Sequence, residues 1–436
     1  MLQEALMKRS VLHVLVFFLW MSSLLVSPVS SVYSEIKTDV QRFTYASSYR
    51  DSTQEWRLHL SAAYEKENKK GIEGRFLGDI WGLFPREASD WFDVRESWVG
   101  VQKKPFDVKV GRILLPWGGV EVRSPHQKIF PVFSLDALTY HRDGVVGMYG
   151  SYQSKNNFLY EALVSPLFIP NRGGARYETE GDSHFAIRSR WSLPLFYQVK
   201  IGEGWLPLDY TLHTPRVTDV LFNSGLAVRM SREWAFFKGA LLASHMMDPA
   251  PELINDAKLI IKDESSLETR VHLYPQFFRL SSVGFEGAFL FHPFSFLTET
   301  AYLRHQKSNL NPQLNSLVGI RYDNKHGFIE KGLAGIVFSK DLGKTNQGEM
   351  YQPKKAASYV FTEILFHLFQ GEGVSFNAES DLFLKEFVMT PAVMLAFLDN
   401  RFTVKAGINT LVGKENTYWG SLRQHDRFWL EARYVF

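Results

Sequence analysis

The stretch Arg427-Phe-Trp-Leu-Glu-Ala-Arg-Tyr-Val-Phe436 alternates between apolar and mixed positions over its whole length. Successive side chains of a β-strand point to opposite faces. One face therefore carries Phe428, Leu430, Ala432, Tyr434 and Phe436, and the other carries Trp429, Glu431, Arg433 and Val435. An apolar face on an uncovered strand aggregates in water, whereas in lipid the same face is a correct outer surface. This pattern predicts a membrane-facing strand.

The same alternation recurs along the chain beyond residue 50. Examples are the segments 57–65, 185–191, 195–201, 226–230, 318–322 and 402–408. Segments of about ten residues with one apolar and one polar face are typical of a transmembrane β-barrel. We therefore predict an all-β fold, an antiparallel up-and-down barrel of 16 or 18 strands. A soluble secreted sandwich or β-helix is the alternative, and the abundance of aromatic residues disfavours it.

Composition narrows the possible functions. The chain has 436 residues, a net charge of +3, 15% aromatic residues and no cysteine. Without cysteine there is no disulfide scaffold, no thiolate metal site and no thiol nucleophile. The nearly balanced charge disfavours a nucleic-acid binder. A single long apolar run, at the N-terminus, excludes a polytopic helical membrane protein.

The N-terminal segment has the order of a secretory signal peptide. Lys8 and Arg9 precede an apolar run from Val11 to Met21, and small residues follow. We predict a signal peptide over residues 1–31, cleaved after Ser31 or Ser34, with an uncleaved anchor as the alternative. A short lead over 32–53 and a single barrel over 54–436 complete the predicted organisation.

The connection 114–142 is the most unusual long loop, because charged residues stand among Phe130, Phe133 and Leu138. One interpretation folds it into the lumen as a constriction that selects by size and charge. The other leaves it outside, packed on its neighbours. The candidate constriction residues are Glu121, Arg123, Lys128, Asp136 and Arg142.

The polar faces of the clearest strands carry more basic than acidic side chains. The pore-lining candidates are Arg57, Arg188, Arg190, Lys200, Arg229, Arg321, Lys405 and Arg433. A positive lumen favours anions. The alternative is that these charges pair across strands and leave the wall neutral in effect.

The stretch 95–118 carries a family resemblance. It reads Arg-Glu-Ser-Trp-Val-Gly-Val, then Lys109-Val-Gly-Arg112, then Pro116-Trp117-Gly118. This resembles Gram-negative outer-membrane porin-type barrels, most closely the branch related in layout to alginate-export barrels. The terminal Phe436 is similar to the residue that the barrel-insertion machinery reads in those families. The resemblance implies an outer-membrane location, a passive channel for small polar solutes, contact with lipid, and a homotrimer as one possible assembly.

Two other functions are compatible with an outer-membrane barrel. His59-Leu60-Ser61 matches the spacing of some outer-membrane lipid hydrolases, but no third catalytic partner is visible. A structural or adhesive barrel with a filled lumen is the other rival. No Gly-x-Ser-x-Gly, His-Glu-x-x-His or phosphate-loop motif occurs. We therefore predict no enzyme activity, no metal and no cofactor.

Overall fold

The computed structural model describes most of the chain, and the statements below concern these residues alone. They are residues 31–49, 52–67, 71–84, 91–120, 123–134, 136, 138, 140–172, 177–180, 184–187, 198–201, 204–213, 217–263, 266–306, 311–324, 329–342, 358–369, 372–381, 383, 385–398, 401–414 and 417–436. The predicted signal peptide falls on residues 1–30, outside the described part, and stays a prediction.

Strands account for almost all of the regular structure. In chain order they are β1 Ser31–Tyr49, β2 Ser52–Glu67, β3 Ile72–Phe84, β4 Trp91–Lys103, β5 Phe106–Ile113, β6 Val132–Ser134, β7 Tyr140–Arg142, β8 Val145–Gln153, β9 Phe158–Ser165, β10 Tyr177–Glu180, β11 His184–Ile187, β12 Gln198–Ile201, β13 Gly204–Leu212, β14 Gly225–Glu233, β15 Phe237–Met247, β16 Glu252–Asp263, β17 Ser266–Gln276, β18 Arg279–Phe291, β19 Phe294–His305, β20 Gln313–Asp323, β21 Ile329–Asp341, β22 Tyr359–Phe369, β23 Glu372–Asp381, β24 Phe387–Phe397, β25 Phe402–Val412 and β26 Arg427–Val435.

Helices are short and lie in connections. They are the α-helices Val217–Leu221 and Tyr418–Ser421 and the 3-10 helices Pro125–Ile129 and Arg423–His425. Within the described residues, none of the helices has the length and apolarity needed to cross a bilayer.

Eighteen of the strands form one closed antiparallel barrel. They are β1–β5, β8, β9, β14, β15 and β18–β26. Closure comes from β1, which pairs with β2 on one side and with β26 on the other, from Lys37 opposite Val435 to Tyr45 opposite Arg427. The predicted fold class is confirmed. The barrel has 18 strands, the larger of the two predicted numbers. Closure leaves the barrel sheet no free edge, so its backbone groups pair internally.

The first strand corrects the predicted domain limits. Residues 32–53 were expected to form a lead, but Ser31–Tyr49 is a barrel strand. Its outward positions mix Ile36 and Val40 with polar residues, so the apolar alternation is weak there. Backbone pairing on both sides holds the strand in the wall, with β2 from Ser31 to Thr44 and with β26 from Lys37 to Tyr45.

A second correction concerns the alternating segments near residues 185–201. The barrel strand β9 pairs directly with β14, and β15 pairs directly with β18. The chain between them forms a separate sheet of β10–β13, β16 and β17. Lys200 lies in β12 of that sheet and is not in the barrel wall, while Arg188 and Arg190 lie outside the described residues. Apolar and polar residues alternate with a period of two in any half-buried sheet. The alternation therefore does not indicate which sheet a strand joins.

The outer face of the barrel is apolar around the wall. Exposed large apolar side chains include Val99, Val110, Met148, Val164, Val228, Leu241, Val283, Phe296, Val318, Phe338, Val393, Ile408 and Phe428. These positions alternate with buried polar side chains that point inward, such as Glu161 and Glu299. This arrangement inverts that of a water-soluble protein and matches a barrel immersed in lipid.

Candidate constriction in the barrel lumen

The connection from β5 to β8, residues 114–144, folds into the barrel. Its backbone at Gly118 and Gly119 donates to Glu286 Oε1 (2.9 Å) and to Glu299 Oε1 (2.6 Å). Both glutamates stand on the inner face of the wall, on β18 and β19. The sequence left the position of this loop open, and the structure places it inside the lumen. Gly118 adopts a left-handed φ of 85°, which a residue with a side chain would resist.

Apolar side chains hold the loop against the inner wall. Trp117 and Phe130 are 1% exposed and pack with Leu163, Leu242 and Leu303 of the wall, together with other members of the same cluster. Further along the wall, Val120 packs against inward residues of β19–β22. Burial of these large side chains provides a hydrophobic driving force of about 25 cal/mol for each Å² removed from water.

A first ionic anchor joins the loop to three wall strands. Arg229 bridges Glu161 (2.6 Å) and Glu286 (2.9 Å). The indole Nε1 of Trp117 donates to Glu161 Oε1 at 3.0 Å, and the hydroxyl of Tyr149 donates to the same oxygen at 2.9 Å. The loop thus adds donors to carboxylates that the wall already orients.

A second anchor lies across the lumen at β2 and β26. Asp136 Oδ2 accepts from Arg57 Nη1 at 2.5 Å and from Arg427 Nη1 at 3.0 Å, and all three side chains are buried. The backbone N–H of Leu138 donates to the other oxygen. Burial alone would raise the pKa of Asp136, but the guanidiniums of Arg427 and Arg57 outweigh it and hold the pKa well below its usual range. Asp136 is therefore a carboxylate at neutral pH.

Between the anchors, the helix Pro125–Ile129 lies directly on the wall. Ser124 caps its first turn by accepting from the His126 backbone N–H. The His126 ring lies so close to β18 that a Cβ on Gly284 would stand 2.2 Å from its Cε1. Burial lowers the pKa of His126, so the ring is neutral at pH 7.

The loop leaves an opening against strands β20–β24. A cavity of about 780 Å³ lies there, bounded on the loop side by Val120, Arg123 and Tyr140. Arg123 pairs across the edge of this space with Glu363 of β22. Trp419, from the connection between β25 and β26, also lines it. We refer to this cavity as the residual passage.

The remaining predicted residues take varied positions. Lys128 donates to Gln313 Oε1 at 3.0 Å, and Arg142 donates to Gln127 Oε1 at 2.8 Å and so braces the loop internally. Arg321 donates to the carbonyl of Gly119. Glu121 lies outside the described residues.

Two further predicted residues face the lumen near the short turns. Lys405 stands 3.8 Å from Glu431, and Arg433 donates to Asp39 at 2.5 Å. Phe436 is exposed at the end of the outer face, and its role as an insertion signal stays a prediction.

Sequence reasoning missed several residues of this site. Arg427 shares the inward parity of Glu431 and Arg433, so the alternation of the last strand could have revealed it. Glu363 and Trp419 carried no comparable signal. Glu363 lies in a segment where apolar residues occupy both faces, and Trp419 belongs to a connection without periodicity.

The geometry at His59 disfavours the hydrolase alternative. Its Nδ1 lies 2.9 Å from Asp39 and its Nε2 lies 2.7 Å from Asp79. The ring is also stacked on Trp81, with centroids 3.7 Å apart. Because carboxylates engage both ring nitrogens, neither is left to activate the hydroxyl of Ser61.

No protein-family model matches the chain. No curated protein matches it in sequence. Among solved structures it is similar to OccK11 (OpdR) of Pseudomonas aeruginosa, with 9% identity, a TM-score of 0.49, and coverage of 94% of this chain and 96% of that one. OccAB3 of Acinetobacter baumannii has 10% identity and a TM-score of 0.49 over 94% and 100% of the two chains.

A mutant of the Rh. blastica porin also matches. It has 9% identity and a TM-score of 0.42 over 93% of this chain and 100% of that one. The case for a membrane barrel rests on the closed sheet and its apolar outer face. The finer resemblance to the alginate-export branch stays a prediction.

Proposed function

We propose that the protein is a channel of the Gram-negative outer membrane through which small polar solutes pass passively. The observation that carries this proposal is the loop 114–144, which crosses the interior of a lipid-facing barrel and leaves the residual passage beside it. A barrel of this size encloses more space than its own wall side chains fill. An inserted loop then sets the width of the path.

We further propose that the channel prefers anions. The inner wall carries buried carboxylates beside its basic side chains, among them Asp39, Asp79, Asp93 and Glu96. The preference therefore rests on which partner of each ion pair faces the water, and not on a surplus of basic residues.

In several lumen ion pairs the cation is the more exposed partner. Side-chain exposure is 43% for Arg75 against 5% for its partner Glu96, and 36% for Arg433 against 4% for Asp39. Lys405 and Lys37 show the same order with Glu431 and Glu35. These four cations, Lys37, Arg75, Lys405 and Arg433, form what we name the basic arc. Charges near the wall contribute less to the potential in the water-filled path than charges that reach into it.

Some pairs run the other way, among them Arg57 with Glu55, at 1% against 19%, and Arg123 with Glu363 at the residual passage. Glu363 has an exposed side-chain fraction of 38%, against 14% for Arg123. A carboxylate there opposes the basic arc, so the anion preference should be moderate.

Reversal potentials of single channels in a salt gradient test the proposal. We expect the refolded chain to conduct with anion selectivity, and the double variant Lys405→Gln, Arg433→Gln to lose part of it. Lys258→Gln is the matched control, because Lys258 lies on the separate sheet and not in the barrel wall. Absence of current from a correctly inserted barrel would contradict the channel, while cation selectivity would contradict only the anion preference.

The assembly state is a further part of the proposal. An apolar groove on the outside of β5, β8, β9 and β14 is lined by Phe106, Val108, Tyr152, Tyr160 and Val228. Such a face suits either lipid chains or a second copy, as a homotrimer would require. A heat-labile trimer band on a denaturing gel would support the assembly, and a monomer in bilayer-like conditions would contradict it.

A further inference from the structure

We infer that Asp93, His141 and Asp143 form a binding site for a divalent metal ion of the zinc class. Asp93 belongs to β4 of the wall, whereas His141 and Asp143 belong to the returning limb of the inserted loop. One ligand atom from each residue lies within 4.8 Å of the other two. The site therefore joins the loop to the wall.

The distances from the His141 ring to the two carboxylates suit a shared metal ion better than direct hydrogen bonds. His141 Nε2 stands 3.7 Å from Asp93 Oδ2 and 3.5 Å from Asp143 Oδ1. Ligands placed 2.0–2.1 Å from zinc at the tetrahedral angle lie about 3.4 Å from one another. Hydrogen-bonded nitrogen and oxygen atoms are closer, at about 2.7–3.2 Å.

The same three atoms have no hydrogen-bond partner, although they are buried. Asp93 Oδ2, Asp143 Oδ1 and His141 Nε2 are each withdrawn from solvent and make no hydrogen bond among the described residues. Asp93 is 1% exposed and Asp143 is fully buried. Leaving three such polar atoms unsatisfied is costly, and a shared cation would satisfy all of them at once.

The other carboxylate oxygens are engaged and orient the ligands. Arg112 donates to Asp93 Oδ1 and approaches Asp143 Oδ2, both at 3.1 Å. Arg172 donates to both of the same oxygens. Each carboxylate thus has one oxygen bound to guanidinium and one free for metal. Outer partners of this kind fix ligand orientation in metal sites.

The ring of Phe133 orients the histidine. The His141 ring is stacked on the buried ring of Phe133 at 5.0 Å, which sets the direction of Nε2. An imidazole with two carboxylates suits zinc or similar transition metals, whereas calcium and magnesium prefer oxygen ligands alone.

Equilibrium dialysis of the full refolded chain against zinc, after chelator treatment, tests the inference. We expect His141→Ala and Asp143→Asn each to bind one zinc ion fewer than the parent chain, or to bind it with an affinity at least about tenfold weaker. The double variant His213→Ala, His272→Ala is the control. It removes an exposed histidine pair on the separate sheet, whose ring nitrogens are 3.0 Å apart.

Two results would overturn the inference. One is zinc binding that is unchanged in His141→Ala. The other is competition by excess calcium or magnesium as effective as by cobalt. His141→Gln, which keeps a bulky polar side chain, replaces His141→Ala if that variant does not recover the heat-modifiable mobility of a folded barrel. The experiment measures metal content and not conductance. Its result therefore tests the metal site independently of the proposed channel function.

Discussion

Asp136 of the inserted loop and Arg57 of β2 form an ion pair of 2.5 Å from which water is excluded on both sides. Arg427 completes the pair as a triad. The loop is therefore attached to the strands that close the barrel, on the opposite side of the lumen from the Glu161–Arg229–Glu286 anchor. Attachment at both sides explains how a connection can hold a fixed position across a wide interior.

Removal of the loop carboxylate should release one side of this attachment. We expect Asp136→Ala to lower the free energy of unfolding by about 3–5 kcal/mol, because two buried guanidiniums lose their shared counter-charge. The midpoint of urea unfolding in detergent, followed by tryptophan fluorescence, measures this change.

The control for this variant is Asp256→Ala, which breaks the exposed pair with Lys258. It should cost no more than about 1 kcal/mol. Equal effects of the two substitutions would mean that the buried triad does not secure the loop.

The same carboxylate predicts a dependence on pH. The pKa of Asp136 is lower in the folded chain than in the unfolded chain, so its contribution is present above the unfolded value of about 3.9. This stabilising contribution is lost as the pH falls from the unfolded pKa toward the lower pKa of Asp136 in the folded chain. Asp136→Asn should therefore be less stable than the parent at pH 6, and the difference should shrink below about pH 4. A constant difference across this range would contradict the assignment.

The Arg123–Glu363 pair at the residual passage should control both the width and the ion selectivity of the conducting path. Arg123→Ala removes a long cation from the edge of the cavity, so we expect a higher single-channel conductance and a weaker anion preference. Glu363→Gln removes the opposing charge with little change of size and should strengthen the anion preference. Opposite shifts in reversal potential are the signature, and shifts of the same sign would place the conducting path elsewhere.

The lipid-facing parity can be tested at the middle of β20. Val318 is 57% exposed on the outer face, so Val318→Arg should lower stability in bilayers by about 2–4 kcal/mol. Phe222→Arg is the control, because Phe222 is 71% exposed but lies in the connection between β9 and β14. Folding titrations in lipid vesicles would distinguish the two positions, and a tolerated arginine at 318 would contradict the outward assignment.

The sequence by itself determined the fold class, the approximate strand number and the direction of many side chains. Alternation with period two specifies a face, since a shift of one residue would turn every side chain of a strand to the other side. In the structure Phe428 and Leu430 are exposed on the outer face, whereas Arg229 bonds to Glu161 of the inner wall and Arg321 to Gly119 of the inserted loop.

Only the tertiary structure decided which strands share a sheet and where the long loop lies. Alternation with period two carries no information about strand partners, so it neither separates β12 from the barrel wall nor reveals β1 as part of it. The loop position depends on contacts between distant parts of the chain, such as Gly118 with Glu286, which are 168 residues apart. Those carboxylates converge on the loop only after the barrel has closed, and no local pattern encodes their convergence.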